Sequence, residues 1–299
     1  MEESKINMNV VCFGEVLIDQ FPTHSKIGGA PLNVSVRLQS YGAQVAMISS
    51  VGSDKEGEKI LDFLKDHDVD TAGIAVQNNY PTGKVNVFLN DEGSANYEIA
   101  YPAAWDKIEI SDELHTLVKN SDLFIFGSLV CRDELSGQTL DALLQSASYK
   151  VFDVNLRAPH YSNERLIELM KKADFIKFND DELYEIADYL KSKYHSMEQT
   201  IAFIAKEMNT ETICVTKGAY GAVLYYAGKF YYNSGYRIKV IDTVGSGDSF
   251  LASIIYKLFN KENPQEALNF GCAVGALVAG TKGASTILST EKITQFMHP

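Results

Sequence analysis

Phe175-Ile176-Lys177-Phe178-Asn179-Asp180-Asp181-Glu182 runs from a short apolar stretch into an acidic helix start. Phe175 to Phe178 reads as a buried strand. Asp181 to Lys191 reads as a helix whose early acids complement the positive end of its dipole. The same passage recurs on both sides. Upstream lie the strands Val10 to Ile18, Val45 to Val51, Leu123 to Phe126 and Val151 to Val154. Between them fall helices over Pro31 to Tyr41, Glu56 to Asp66, Glu134 to Ser146 and Arg165 to Lys172. Pro31 suits a first helical turn and Gly42 a helix end. Downstream, Thr212 to Thr216 is again a strand. Alternation of this kind predicts an α/β fold, a mostly parallel sheet covered by helices on both faces.

One region breaks the pattern. Lys84 to Leu89 and Ala95 to Ile99 are two strand-like runs joined by Asn90-Asp91-Glu92-Gly93-Ser94, a hairpin signal. It reads equally as a small lid or as an ordinary antiparallel edge. Nothing marks a linker or repeat, so residues 1–299 are expected to form a single domain.

The formal net charge is 27 − 39 = −12 over 299 residues. That balance argues against general nucleic-acid binding, which needs basic surface to neutralise phosphates. A nucleotide ligand remains compatible, because a local site overrides the global field. The four cysteines, Cys12, Cys131, Cys214 and Cys272, are far apart and form no CxxC. Buried free thiols in a reducing compartment are expected. No signal peptide fits the first residues, and no apolar run is long enough to cross a bilayer. A cytoplasmic protein is expected.

Four short motifs carry chemistry. The first is Asp242-Thr243-Val244-Gly245-Ser246-Gly247-Asp248-Ser249-Phe250. Apolar residues follow at Phe250, Leu251, Ile254, Ile255 and Leu258, a helical stripe that puts Gly245 to Asp248 at a helix entrance. Unhindered N–H groups and the dipole attract an anion there. Asp248 is then either a helix cap or a base beside a phosphoryl group. A dinucleotide fingerprint would need glycine where Phe250 stands. A Walker A loop would need Gly-Lys-Ser/Thr, which the chain lacks.

The second motif, Gly28-Gly29-Ala30-Pro31-Leu32-Asn33, also opens a helix. With Asp19 at the end of the first expected strand, Asn33 offers donors and acceptors for polyol hydroxyls. The plainer readings are a helix-start amide and a strand-end turn. The third is Asn179 to Glu182, an oxygen-rich strand end suited to Mg²⁺ or, more plainly, an acidic first turn. The fourth is Val215-Thr216-Lys217-Gly218-Ala219-Tyr220-Gly221, where glycines admit a close ligand or simply make a β-turn.

In this order the four motifs resemble the PfkB (ribokinase-like) family of sugar kinases, from Gly14-Glu15 to Gly283-Ala284. Asp242 to Phe250 is similar to the family's second signature, and Gly28 to Val34 to the first. Gly14 to Asp19, the Gly-Gly-Ala-Pro form and Asp153-Val154-Asn155-Leu156-Arg157 are most similar to fructokinases. The resemblance implies a ribokinase-like three-layer αβα fold with a small β-lid, formed by segments near 15–30 and 84–101. It implies an ATP-dependent kinase that phosphorylates a hydroxyl of a ketohexose, D-fructose first. Another sugar or nucleoside, ketodeoxygluconate among them, and a non-catalytic sugar sensor are the alternatives.

The resemblance also assigns roles. Asp248 is the base, and the N–H groups of Gly245, Ser246 and Gly247 are the anion hole. Asp19, Gly28, Gly29, Asn33 and Arg157 bind sugar, Arg157 through sugar or phosphate. Thr216, Gly218, Gly221 and Cys272 line the nucleotide site. Asn179 and Glu182 organise Mg²⁺, largely through water. Asp242 and the carbonyl of Val244 belong to a loop for a monovalent cation such as K⁺. Relatives often pair through their lids, so a homodimer is implied. Cys272 stands where many relatives carry asparagine near the adenine.

Overall fold

The structure, a computed structural model, describes residues 8–89, 95–284, 286 and 288–298. The turn expected at 90–94 lies outside the described residues. The chain divides into two compact units, one of Asn9–Phe124 with Leu129–Ser148, the other chiefly of Tyr149–Pro299 with Ile125–Ser128.

The first unit contains β1 (Asn9–Phe13), β2 (Leu17–Gln20), β3 (Ser25–Gly28), α1 (Ala30–Ser40), β4 (Gln44–Gly52), α2 (Lys55–Asp66), β5 (Ile74–Gln77), β6 (Gly83–Leu89), β7 (Ala95–Ile99) and α3 (Asp112–Lys119). β8 (Leu123–Gly127) begins in it, and α4 (Glu134–Leu144) completes it. The second unit contains β9 (Lys150–Asp153), α5 (Asn163–Met170), β10 (Phe175–Asn179), α6 (Asp180–Tyr189), α7 (Met197–Met208), β11 (Thr212–Thr216), β12 (Ala222–Tyr226), β13 (Lys229–Asn233), α8 (Ser246–Phe259), α9 (Pro264–Ala279) and α10 (Thr290–Met297).

Among the described residues these strands form a nine-stranded sheet, ordered β13-β12-β11-β10-β9-β8-β1-β4-β5, and a four-stranded one, β3-β2-β6-β7. In the large sheet β1–β4, β4–β5, β9–β10 and β10–β11 pair in parallel, whereas β11-β12-β13 is an antiparallel meander. Helices flank it. All five residues of β8 are buried, as a strand covered on both faces requires. In the second unit the rings of Phe126 and Phe152 stack with centroids 5.0 Å apart.

The expected strand Val10 to Ile18 is two strands in two sheets. At Gly14 φ is 144°, and a Cβ there would come within 2.8 Å of Pro31 Cγ. Gly14 still donates to Ile48 O at 3.2 Å, but the chain then leaves the large sheet. It re-emerges as β2, which pairs antiparallel with β3 and parallel with β6. Asp19 therefore sits on the small sheet and not at the end of β1. β6 and β7 pair antiparallel, as the hairpin reading expects. The inner face of the small sheet gathers Leu17, Val85 and Val87, with Phe21 and Ile99 packed against them.

A buried guanidinium ties down the end of β7. Arg132 donates to both Asp106 carboxylate oxygens, at 2.7 and 2.8 Å, and to Ala100 O at 2.7 Å. It also lies 4.0 Å over the Trp105 ring. Such a planar, two-pronged pair holds direction as well as charge. Beside it, Asp133 accepts from Lys107 Nζ at 2.6 Å and from the Tyr101 hydroxyl at 2.9 Å.

Candidate active site

In the second unit, α8 begins at Ser246 with Gly245 as its N-cap, in the left-handed region at φ 74°. No side chain caps this end, and Asp248 is an acid in the first turn rather than the cap itself. Glycine is required at 245, because a Cβ would overlap the Ala284 Cβ and lie 2.7 Å from its Cα. The first N–H groups of a helix have no partner four residues back, which makes this end a donor-rich cradle. Ser246 N–H donates to Thr243 O at 3.2 Å, and Ser246 Oγ to Gly275 O on α9 at 2.8 Å. Upstream, the Asp242 carboxylate accepts from Val244 N–H at 3.0 Å and Gly283 N–H at 3.3 Å, which rigidifies the loop leading into α8.

Where the end of β9 lies beside the middle of β10 there is a buried charged cluster. Lys177 and Asp153 are paired in the strand register, and Lys177 Nζ donates to Asp153 Oδ1 at 2.9 Å. Burial opposes the charge on Lys177, but Asp153, Glu182 and Asp248 outweigh it and push its pKa up to about 12. A Cβ on Gly247 would lie 3.6 Å from Lys177 Nζ, so the ammonium sits against the start of α8. Lys177 was not among the expected site residues. Its signal was present, as a charged side chain inside the apolar run Phe175 to Phe178.

Asn179 and Glu182 are joined in a reciprocal capping box at the start of α6. Asn179 Oδ1 accepts from Glu182 N–H at 2.8 Å, and Glu182 Oε2 from Asn179 N–H at 2.8 Å. The other oxygen, Glu182 Oε1, accepts from Leu156 N–H at 2.9 Å. Glu182 is buried, and burial raises its pKa against the pull of Lys177. The plain reading, an acid serving its own helix, is thus realised, and each carboxylate oxygen keeps a second lone pair. Among the described residues no group of three or more His, Cys, Asp or Glu is arranged as a metal cage.

Thr216 ends β11 as the register partner of Asn179, so the third and fourth motifs lie side by side. Gly218 and Gly221 have φ of 54° and 78°. A Cβ on Gly221 would strike Asn233 O, so the turn is held against the end of β13. Cys272 is buried on α9, and burial pushes its thiol up to about 12. Arg157 is exposed and donates to Leu156 O at 2.8 Å.

The first unit holds the second motif. Gly28 lies on β3 beside Asp19 of β2, and a Cβ at 28 would meet Asp19 Oδ2 at 2.5 Å. Gly29 is the N-cap of α1 at φ 115°, and a Cβ there would strike Glu15 O. Asn33 is buried in α1, its N–H bonded to Gly29 O at 2.9 Å. Asp19, Gly28, Gly29 and Asn33 are therefore brought together by two short strands and a helix start.

A sequence profile of the pfkB family carbohydrate kinases matches residues 5–291. The chain is 29% identical over 315 residues to the probable chloroplastic fructokinase-6 of Arabidopsis thaliana, covering 95% of this chain and 80% of that one. It is 29% identical to the fructokinase of Solanum tuberosum, covering 94% and 93%. Its fold is similar to that of a Vibrio cholerae O395 fructokinase double mutant bound to fructose, ADP and potassium ion. There the TM-score is 0.85 at 23% identity, over 99% of this chain and 100% of that one. A profile match over nearly the whole length, on a mostly parallel helix-flanked sheet, settles the family: the chain belongs to the pfkB family of carbohydrate kinases.

Proposed function

We propose that the protein is an ATP-dependent fructokinase, with Asp248 as the base. The observation that carries this reading is the glycine-lined start of α8, with Asp248 in its first turn and Lys177 against it. The relatives named above, fructokinases at 29% identity, support D-fructose as acceptor. Asp19, Gly28, Gly29 and Asn33 hold the sugar, and Arg157 assists at its hydroxyls or phosphate. The sugar hydroxyl oxygen forms a bond to the γ-phosphorus, the bond to the bridging oxygen of ADP breaks, and the hydroxyl proton passes to Asp248. The N–H groups of Gly245, Ser246 and Gly247 face the oxygens on which charge builds, that of Ser246 shared with Thr243 O at 3.2 Å. Thr216, Gly218, Gly221 and Cys272 line the nucleotide.

Mg²⁺ enters as the partner of ATP and neutralises phosphate charge when bound. The donors present fit a hydrated ion. Asp153 Oδ2 is buried without a hydrogen-bond partner, and Glu182 retains lone pairs beside Asn179. The Asp242–Val244 loop holds K⁺ in the same reading. The small sheet β3-β2-β6-β7 acts as a lid that excludes water, and copies pair through it in a homodimer. Among the described residues no helix is long and apolar enough to cross a membrane, which accords with the proposed cytoplasmic location.

An ADP-release assay with MgATP over a sugar and nucleoside panel tests this. Fructose is expected to give the highest kcat/KM, and Asp248→Asn to lower kcat by at least about a hundredfold. No turnover with fructose but turnover with another acceptor overturns the substrate, and no turnover with any acceptor overturns the kinase. Near-normal turnover in Asp248→Asn overturns the base.

A further inference from the structure

The kinase reading places the buried charge of Lys177 at the start of α8 but gives it no step. Lys177 lies in the middle of a central parallel strand, with its side chain 8% exposed. Its partner Asp153 is 4% exposed at the side chain. Taking both charges out of water is costly, and such pairs seldom stabilise a fold better than apolar residues of the same size. What the ammonium faces therefore matters more than its bond to Asp153. It faces the first turn of α8. Gly247 has no side chain to cover it, and a Cβ there would stand 3.6 Å from Nζ. Asp153 fixes the ammonium from β9 through the strand register and not through a loop. Glu182 and Asp248 lie within electrostatic range as well. Without a cation among these acids, a phosphoryl group at the helix start would meet net negative charge.

Resting on the kinase reading above, we propose that Lys177 is a catalytic residue whose ammonium meets the transferring phosphoryl group at the start of α8. Asp153 is its positioning residue. The ammonium stays protonated throughout and supplies charge, whereas the proton of the acceptor hydroxyl goes to Asp248. Burial strengthens this charge and removes the need to reorganise water at the moment of transfer.

The test separates a working cation from a mere counterion. Wild-type turnover over the sugar panel comes first, and its absence would overturn the kinase reading itself. Lys177→Met is then compared with the double variant Lys177→Met/Asp153→Asn. Removing one partner strands a buried charge, whereas neutralising both restores most of the lost stability. The single variant is expected to lower the urea midpoint and the double variant to recover it. In both, kcat falls by roughly a hundredfold or more, with little change in the KM for ATP. A second readout is affinity for ADP with aluminium fluoride, a planar mimic of the transferring group. It is expected to fall in parallel with kcat, while affinity for ADP is kept. A stable double variant with kcat within about threefold of wild type would overturn the proposal, as would unchanged affinity for the fluoride complex.

Discussion

Gly245→Ala tests the geometry at the start of α8 most directly. The residue has φ 74°, a conformation that costs an L-residue about 1–2 kcal/mol. The added methyl would overlap the Ala284 Cβ and approach its Cα to 2.7 Å. Overpacking of that kind costs about 1–3 kcal/mol. The two together come to about 2–5 kcal/mol, a large share of an ordinary domain's 5–15 kcal/mol. If the strain relaxes by displacing the helix start by about 1 Å, turnover falls by roughly a hundredfold. Urea unfolding and ADP release are measured on Gly245→Ala and on Gly245→Ala/Ala284→Gly. The second change removes the Cβ overlap but leaves the 2.7 Å approach to the Cα of residue 284 and the backbone conformation, so only part of the about 1–3 kcal/mol should return. A single variant within about 0.5 kcal/mol of wild type at full kcat would refute the reasoning. Equal damage in the single and double variants would refute the steric part.

Two further predictions concern the foot of the small sheet. Arg132→Met leaves Asp106 charged and buried, and is expected to cost about 3–5 kcal/mol in urea unfolding, most of it recovered by adding Asp106→Leu. An unaltered midpoint in the single variant would show that the pair holds nothing. Burial works to raise the Asp133 carboxyl, but Lys107, the Leu135 N–H and the Tyr101 hydroxyl outweigh it and hold its pKa below the ordinary value. A carboxyl lowered by folding contributes stability above its unfolded pKa and loses it as pH falls through the folded value. Asp133→Asn should therefore be less stable than wild type at pH 7, with the deficit closing below about pH 4. A deficit that stays constant down to about pH 2 would contradict this origin.

Much of the large sheet was legible because each buried parallel strand reads as a short apolar run closed by a helix start. Thr212–Thr216 and Phe175–Asn179 match their expected limits to within a residue. The misreading at Val10 to Ile18 has a local cause. Gly14 interrupts a run that hydrophobicity alone reads as continuous, and the residues beyond it are as apolar as those before. Periodicity carries no mark of which sheet a strand joins. The meander β12-β13 was missed because its aromatic residues, Tyr225, Tyr226, Phe230, Tyr231 and Tyr232, do not alternate cleanly with polar ones. At the site, the glycines at 245 and 221 are demanded by a positive φ together with neighbours that a Cβ would strike. The acidic first turn of α6 was the plainer of two readings and is present, but the capping box between Asn179 and Glu182 was not read from the sequence. Lys177 escaped because a charge in a strand gives no clue to its partner until the register places Asp153 beside it.

The register that pairs Lys177 with Asp153 also sets Cys214 of β11 directly on its other side. Acid, cation and thiol thus form one row across three adjacent strands. In a sheet, neighbours in such a row share a face, so their widths add up against a fixed strand spacing. Cys214 is fully buried, and burial raises its thiol pKa against the pull of Lys177. Lys177 therefore has an acid on one side of its row and a buried thiol on the other. A larger residue at 214 would crowd its neighbours in the row, and a smaller one would leave room beside the lysine. In the proposed role of Lys177, position 214 is thus a tuning point, since its size sets the room beside the lysine without altering any group placed at the site itself.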